Sequence, residues 1–201
     1  MELIGAINKP KKGPLPNYSA YHVIMAFFIL GDGPIGRRAL AERLDLGEGT
    51  VRTLIEKLYG LGLVSASAKG CQLTKRGDKM LMDIKKKVSY KPHIAAGTIT
   101  IGKANSAILI RDAAKLIKSG MEQRDAAISA GTMGATTILL DEDDPRIPMF
   151  TADGRMQART RVLCEDMKME KGDVLIIGTG ETEKEAERAT WAAAYTVLER
   201  R

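Results

Sequence analysis

The chain has 201 residues, 44% of them hydrophobic and 28% charged, proportions that exclude a disordered, collagen-like or disulfide-scaffold protein and fit one or two ordinary domains. Its formal net charge of +6 is unevenly placed: residues 1–93 hold 16 Lys+Arg against 8 Asp+Glu, a balance of +8, and residues 94–201 hold 15 against 17, a balance of −2. A basic excess confined to one half points to a local polyanionic partner, with chance plus a lysine-rich solvated helix as the plainer explanation.

Residues 1–17 carry Lys9, Lys11, Lys12, Pro10, Pro14 and Pro16. Three prolines argue against regular structure, so this is an irregular basic lead-in, or an arm that reaches along nucleic acid. A helix begins after Ser19, a plausible N-cap, and ends at Gly31-Asp32-Gly33-Pro34. A second helix is expected over Ile35–Leu44, with Ile35, Leu40, Ala41 and Leu44 inward. After the turn at 45–49, a third helix starts near Thr50. There Val51, Leu54, Ile55 and Leu58 fall at i, i+3, i+4 and i+7, one apolar stripe. Gly60 and Gly62 stop it. Two short strands, Leu63–Ala66 and Cys71–Thr74, flank a turn at 67–70. A fourth helix from Lys75 to Val88 ends in Lys85-Lys86-Lys87, cations suited to a helix C-terminus.

Arg38 to Val64 (RALAERLDLGEGTVRTLIEKLYGLGLV), followed by Leu73-Thr74-Lys75-Arg76-Gly77, resembles the core of bacterial and archaeal winged-helix transcription regulators. The resemblance covers about residues 18–88, and the domain is expected over 18–91. It implies a winged helix-turn-helix whose third helix enters the major groove of double-stranded DNA. Arg52 is then the best candidate for reading a base, since a guanidinium pairs bidentately with guanine O6 and N7; a weak surface pair with Glu56 at i+4 is the alternative. Thr50 and Thr53 are candidates for phosphate or base edges, although Thr50 also suits an N-cap. Lys57 would meet backbone. Arg37 and Arg38, where backbone N–H groups are unpaired at a helix start, form a candidate phosphate clamp. Lys69 at the hairpin tip, with Lys75 and Arg76, completes the candidate DNA-binding set; ordinary solvation is the alternative for each.

Residues 94–201 are Ala- and Gly-rich and acidic, beginning after the junction Lys91-Pro92-His93. Strands are expected at Thr98–Ile101 and Ala107–Arg111, with Lys103-Ala104-Asn105 turning between them. A helix follows over Gly120–Ala130, with Ser119 and Glu122 as a capping box and Gly131 as its stop. Further strands are expected at Thr136–Leu140 and Asp173–Ile177, and a last helix at Glu183–Glu199; residues 146–166 are ambiguous. The overall expectation is an α+β chain in which the winged helix precedes a two-layer α+β domain, roughly ββαββα, with helices on one face. The whole chain resembles an archaeal family of uncharacterised proteins in which a winged helix precedes a small α+β domain. That domain is similar to the insertion (GAD-like) domain of bacterial aspartyl-tRNA synthetases. Gln123–Ile128, Gly131 with Gly134–Thr137, and Gly172–Ile177 carry this resemblance, which supplies no catalytic motif.

Three features of this half are candidates for chemistry. Gly178-Thr179-Gly180-Glu181-Thr182 has the look of a phosphate loop, but four nearby glutamates would repel a phosphate, and Thr182 with Glu185 forms a capping box. Asp141–Asp144 offers cation ligands or a solvated loop. Arg111-Asp112 and Arg124-Asp125 either line an effector pocket or form internal ion pairs. Cys71 and Cys164 belong to no CxxC or Cys/His cluster, which argues for packed thiols in a reducing compartment rather than a zinc site. His22 and His93 have no nucleophile partner nearby. No cofactor or metal is expected. No leader or spanning segment is apparent, and a soluble cytoplasmic protein follows.

The resulting expectation is a DNA-binding transcriptional regulator. Its second half would dimerise, sense a small-molecule effector, or both; the apolar first helix and the small-residue last helix are the candidate homodimer surfaces. The alternatives are an enzyme with a fused autoregulatory winged helix, and a module acting on protein or tRNA assemblies.

Overall fold

The structure is a computed structural model and describes residues 17–141 and 143–200; the arm expected over residues 1–17 lies outside this range except for Asn17. The chain is mixed α+β and divides into two compact units between Lys85 and Lys86.

In the first unit, α1 (Ala20–Gly31), α2 (Arg37–Leu44) and α3 (Glu48–Gly60) precede the hairpin β1 (Val64–Ser67) and β2 (Gly70–Leu73), and α4 (Lys75–Lys87) follows. The expected stripe of Val51, Leu54, Ile55 and Leu58 is buried on α3, with Leu40, Ala41 and Leu44 on α2. Both helices begin at positions other than those expected. Ile35 is not helical: its N–H and C=O both bond to Cys71, at 3.0 and 2.9 Å, making a one-residue bridge along β2 and delaying α2 to Arg37. α3 starts two residues before Thr50, with Gly47 as N-cap. Thr50 is therefore the third helical residue and not a cap.

Two glycines hold this unit close. Gly70 has φ +121°, and a Cβ there would lie 2.3 Å from the Ile35 carbonyl oxygen. A Cβ on Gly77 would lie 2.1 Å from the Leu63 carbonyl oxygen. Thr74 precedes α4; its hydroxyl accepts from the Gly77 N–H at 3.1 Å and donates to the Gly62 carbonyl at 2.7 Å. The Leu73-to-Gly77 motif thus ties the hairpin, the end of α3 and the start of α4 together.

The second unit holds an antiparallel sheet in the order β3-β4-β6-β5, with β3 (Val88–Lys91), β4 (Ala104–Ile110), β5 (Gly134–Leu140) and β6 (Asp173–Gly180). Helices α5 (Met121–Ser129), α6 (Gly154–Asp166) and α7 (Glu183–Leu198) complete it. Val88 does not extend the preceding helix. It opens β3 and pairs with Ile110, so residues 88–91 belong to the second unit and the division falls before, not after, them. Residues 97–99 form a 3-10 turn instead of a strand, with Ile99 buried and Ile101 78% exposed. Ala104 and Asn105, expected in a turn, pair with Gly180 and Thr179 as the start of β4.

The ambiguous segment divides. Arg146 exchanges backbone hydrogen bonds with Leu139 along the outer side of β5, and α6 follows, its N-cap Asp153 accepting from the Met156 N–H at 2.8 Å. Leu163, Cys164 and Met167 at the end of this segment pack with Ala107, Leu109, Ile138, Leu175 and Ile177 of the sheet. The alternate residues Ser106 and Gly178 meet Thr190 of α7. Because successive strand residues face opposite sides, α6 and α7 cover opposite faces. The α+β class holds, while the expected single helical face becomes two. This is why all eight residues of the central strand β6 are buried. α5 is capped by Gly120 at φ +75°, not by a Ser119–Glu122 box; the Glu122 carboxylate pairs with Arg200 instead.

Candidate nucleic-acid interface

Burial of the apolar stripe turns the opposite side of α3 outward, leaving Arg52, Thr53 and Glu56 exposed and Thr50 and Lys57 half-buried. Between this face, the start of α2 and the hairpin lies a cleft of ≈ 360 Å³. Arg37, Arg52, Glu56, Tyr59, Ser67 and Cys71 line it, with Ile55 on its inner side. The cleft exists because Ile35 is stitched to Cys71, which draws the first turn of α2 against the hairpin beside α3.

Of the basic residues singled out in the sequence, the cleft brings together Arg37 and Arg52. Arg52 donates through Nε to Glu56 Oε1 at 2.8 Å, and this hydrogen bond raises its already high pKa, so it stays cationic. Arg38 makes a similar exposed pair with Glu42, at 3.3 Å. Thr53 donates its hydroxyl to the Gly49 carbonyl at 3.1 Å. The Lys57 ammonium sits 5.5 Å from the centre of the Tyr18 ring, a cation–π distance. Lys69 stands exposed at the hairpin tip and Lys75 exposed at the first turn of α4. Arg76 donates to the Leu61 carbonyl at 3.1 Å, where it satisfies the C-terminal end of α3.

Glu56 is legible in the sequence as part of the outward set of α3 and as a partner for Arg52, whereas Tyr59 and Cys71 are cleft residues that only the structure shows. The helical spacing of 52, 56 and 59 is the signal that sets Tyr59 on the same face. Cys71 was not accessible that way, since its place depends on the bridge to Ile35. Its thiol is raised in pKa chiefly by burial, and Sγ donates to the Ile35 carbonyl at 3.1 Å, so it is a packed group.

In the second unit the candidate groups are engaged locally. Arg111 reaches Asp173 Oδ2 at 2.7 Å, and Asp173 Oδ1 accepts from the Asp112 N–H at 3.0 Å. Arg124 pairs with its neighbour Asp125 at 2.9 Å on the exposed side of α5. The two Arg-Asp pairs thus have separate partners. Asp141 pairs with Arg146, Asp144 with Arg161 at 3.0 Å, and Asp143 lies 4.0 Å from Lys171. No group of three or more His, Cys, Asp or Glu side chains is placed to hold a metal ion among the described residues.

Gly178, Thr179 and Gly180 are the end of a buried strand, not a phosphate loop. A Cβ on Gly178 would lie 2.2 Å from the Thr190 backbone nitrogen, so these glycines serve close strand–helix packing. Thr182 caps α7, accepting from the Glu185 N–H at 3.3 Å. Cys164 is buried, its thiol pKa pushed up to about 12 by desolvation. His93 lies 3.3 Å from Glu183 on the surface. Among the described residues no helix is long and apolar enough to cross a membrane.

Comparison with known proteins matches both units. Residues 21–79 match the family described as PH0730-like, N-terminal domain, and residues 101–197 match a domain of unknown function, DUF4443. Among solved structures, the hypothetical protein PH0730 from Pyrococcus horikoshii OT3 is similar, with 27% identity and a TM-score of 0.70 over 92% of this chain and 95% of that one. No curated protein matches the chain. The first unit is therefore similar to the PH0730-like family, the second to the DUF4443 domain, and the chain across both units to an uncharacterised archaeal protein.

Proposed function

We propose that this protein is a DNA-binding transcriptional regulator in which the first unit acts as a winged helix-turn-helix. The observation that carries the proposal is the cleft: it sets Arg37, at the start of one helix, and Arg52, on the exposed face of the next, beside a short basic-tipped hairpin. Three helices, a two-stranded hairpin and a helix follow one another in the order such readers use, and α3 would lie in the major groove. Arg37 is positioned for phosphate, together with the N–H groups of the first turn of α2. Arg52 is positioned for a base edge, and Lys69 and Lys75 for backbone on either side. Lys57 and Arg76 have protein partners of their own, and Arg38 is not among the cleft residues, so these three contribute mainly to the field.

The second unit would serve assembly. A two-fold homodimer would set half-sites about 34 Å apart. Its contact would lie away from the helix faces expected to supply it: the small-residue stripe of α7 is buried in the unit's own core, and most apolar residues of α1 are buried too. The two Arg-Asp pairs have partners of their own and lend no weight to an effector site between them.

Fluorescence anisotropy against random-sequence duplex DNA over a range of salt concentrations tests the proposal. Binding that weakens steeply with salt is expected. Absence of binding at low salt, or preference for tRNA over duplex in direct competition, would overturn it.

A further inference from the structure

Arg52 and Glu56 lie one helical turn apart on the exposed face of α3, with side chains 66% and 61% accessible. An exposed pair of this kind contributes little to stability, and a carboxylate on a surface that meets a polyanion weakens attraction. The geometry of the pair gives it another use. The single contact runs from Arg52 Nε, the side of the guanidinium nearest the chain, at 2.8 Å. The two terminal nitrogens make no hydrogen bond among the described residues. They form the end of the fork that matches guanine O6 and N7. An arginine held by nothing would search many rotamers before meeting a base; one held at Nε keeps its fork in a single orientation. Both side chains line the cleft, together with Arg37.

We propose that Glu56 is a positioning residue for base recognition, fixing Arg52 through Nε so that its terminal nitrogens are presented to guanine. The inference rests on the DNA-binding role proposed above. It predicts that Glu56 trades non-specific affinity for discrimination, which a residue kept only for helix stability would not do.

The test uses the whole 201-residue chain. Selection from a randomised duplex library gives a preferred site, and anisotropy then compares that site with versions altered at each guanine and with unrelated duplex. Glu56→Ala is expected to bind unrelated duplex about two- to threefold more tightly, through loss of like-charge repulsion. It should lose roughly tenfold in discrimination at one guanine. Glu56→Gln keeps an acceptor for Nε and should restore much of that discrimination. The double variant Arg52→Ala/Glu56→Ala should discriminate no worse than Arg52→Ala alone, because one residue acts through the other. Unchanged discrimination in Glu56→Ala would overturn the inference while leaving DNA binding intact. So would losses that add in the double variant, or a changed preference at a cytosine that persists without Arg52, the mark of direct reading by the carboxylate. A wild-type chain that binds duplex without sequence preference overturns it as well, and one that binds no duplex overturns the regulator role with it.

Discussion

His22 shows how one side chain can make the stability of the whole unit depend on pH. Its Nδ1 accepts from the Ser19 N–H at 3.0 Å at the start of α1, and burial lowers its pKa from 6.5 to about 4. The folded chain therefore keeps a neutral imidazole down to about pH 4, whereas the unfolded chain takes up a proton below about 6.5. Stability from this group is complete above pH 6.5 and declines as pH falls towards 4, by an amount on the order of 3 kcal/mol. Urea unfolding at pH 7.5 and 4.5 is expected to show wild type losing more stability than His22→Gln over that interval; parallel losses would contradict the assignment. Arg52 belongs to the same scale. Arg52→Ala should weaken binding to a preferred site by about tenfold or more and relax preference at one position, as measured by anisotropy on a panel of altered sites. A loss uniform across sequences would make Arg52 a phosphate contact. Both residues are conspicuous in the sequence, but their states are not. Burial of the histidine and the Nε-only grip of Glu56 follow from neighbours that spacing alone does not rank.

At the scale of elements, the close approaches are made by glycines. Gly77 lets α4 pass beneath the Leu63 carbonyl, and Gly178 lets α7 lie against β6 with the Gly178 N–H donating to Thr190 Oγ1 at 3.0 Å. In both, an added Cβ meets backbone atoms, which move only with their element. Gly77→Ala and Gly178→Ala should each cost about 3 kcal/mol or more, read as a lowered midpoint in chemical denaturation. Gly60→Ala, where a Cβ meets nothing within 4 Å, is the control and should leave the midpoint nearly unchanged. The last helix and the strand before it were legible as elements because Val174–Ile177 is a continuous apolar run and Ala186, Ala189, Ala193 and Val197 recur at helical spacing. That the strand continues through Gly178-Thr179-Gly180 was not legible. Gly-Thr-Gly favours a loop locally, and only pairing with Ala104–Ser106 on one side and Gly134 and Ala135 on the other makes it a strand. Residues 154–166 posed the opposite difficulty: a helix with a weakly amphipathic sequence, fixed by its Asp153 cap and by the apolar sheet face it covers.

At the scale of the molecule, the charge division gives the clearest expectation. The exposed lysines at the hairpin tip and at the first turn of α4 are in the basic half, whereas Lys103 in the acidic half is paired with Glu181 at 2.7 Å. Lys69→Ala should lower the salt dependence of duplex binding by about one counterion, and Lys103→Ala should leave it unchanged. Anisotropy titrations across salt concentrations measure both slopes, and equal slopes for wild type and Lys69→Ala would remove the hairpin tip from the contact surface.

The sequence by itself determined most of the helices, the hairpin, the outward face of α3 and the concentration of positive charge in the first half. These depend on periodicity, turn residues and composition, which act over a few neighbouring positions. Tertiary structure decided the rest. It turned Ile35 into a bridge to Cys71 instead of a helical residue, drew Val88–Lys91 into the second unit's sheet, and placed a helix on the sheet's other face. It also set Arg37 beside Arg52 across a cleft while giving Arg76 a carbonyl to cap. Each of these outcomes depends on which distant backbone edge or apolar surface is available to pair with, and local propensity carries no information about that choice.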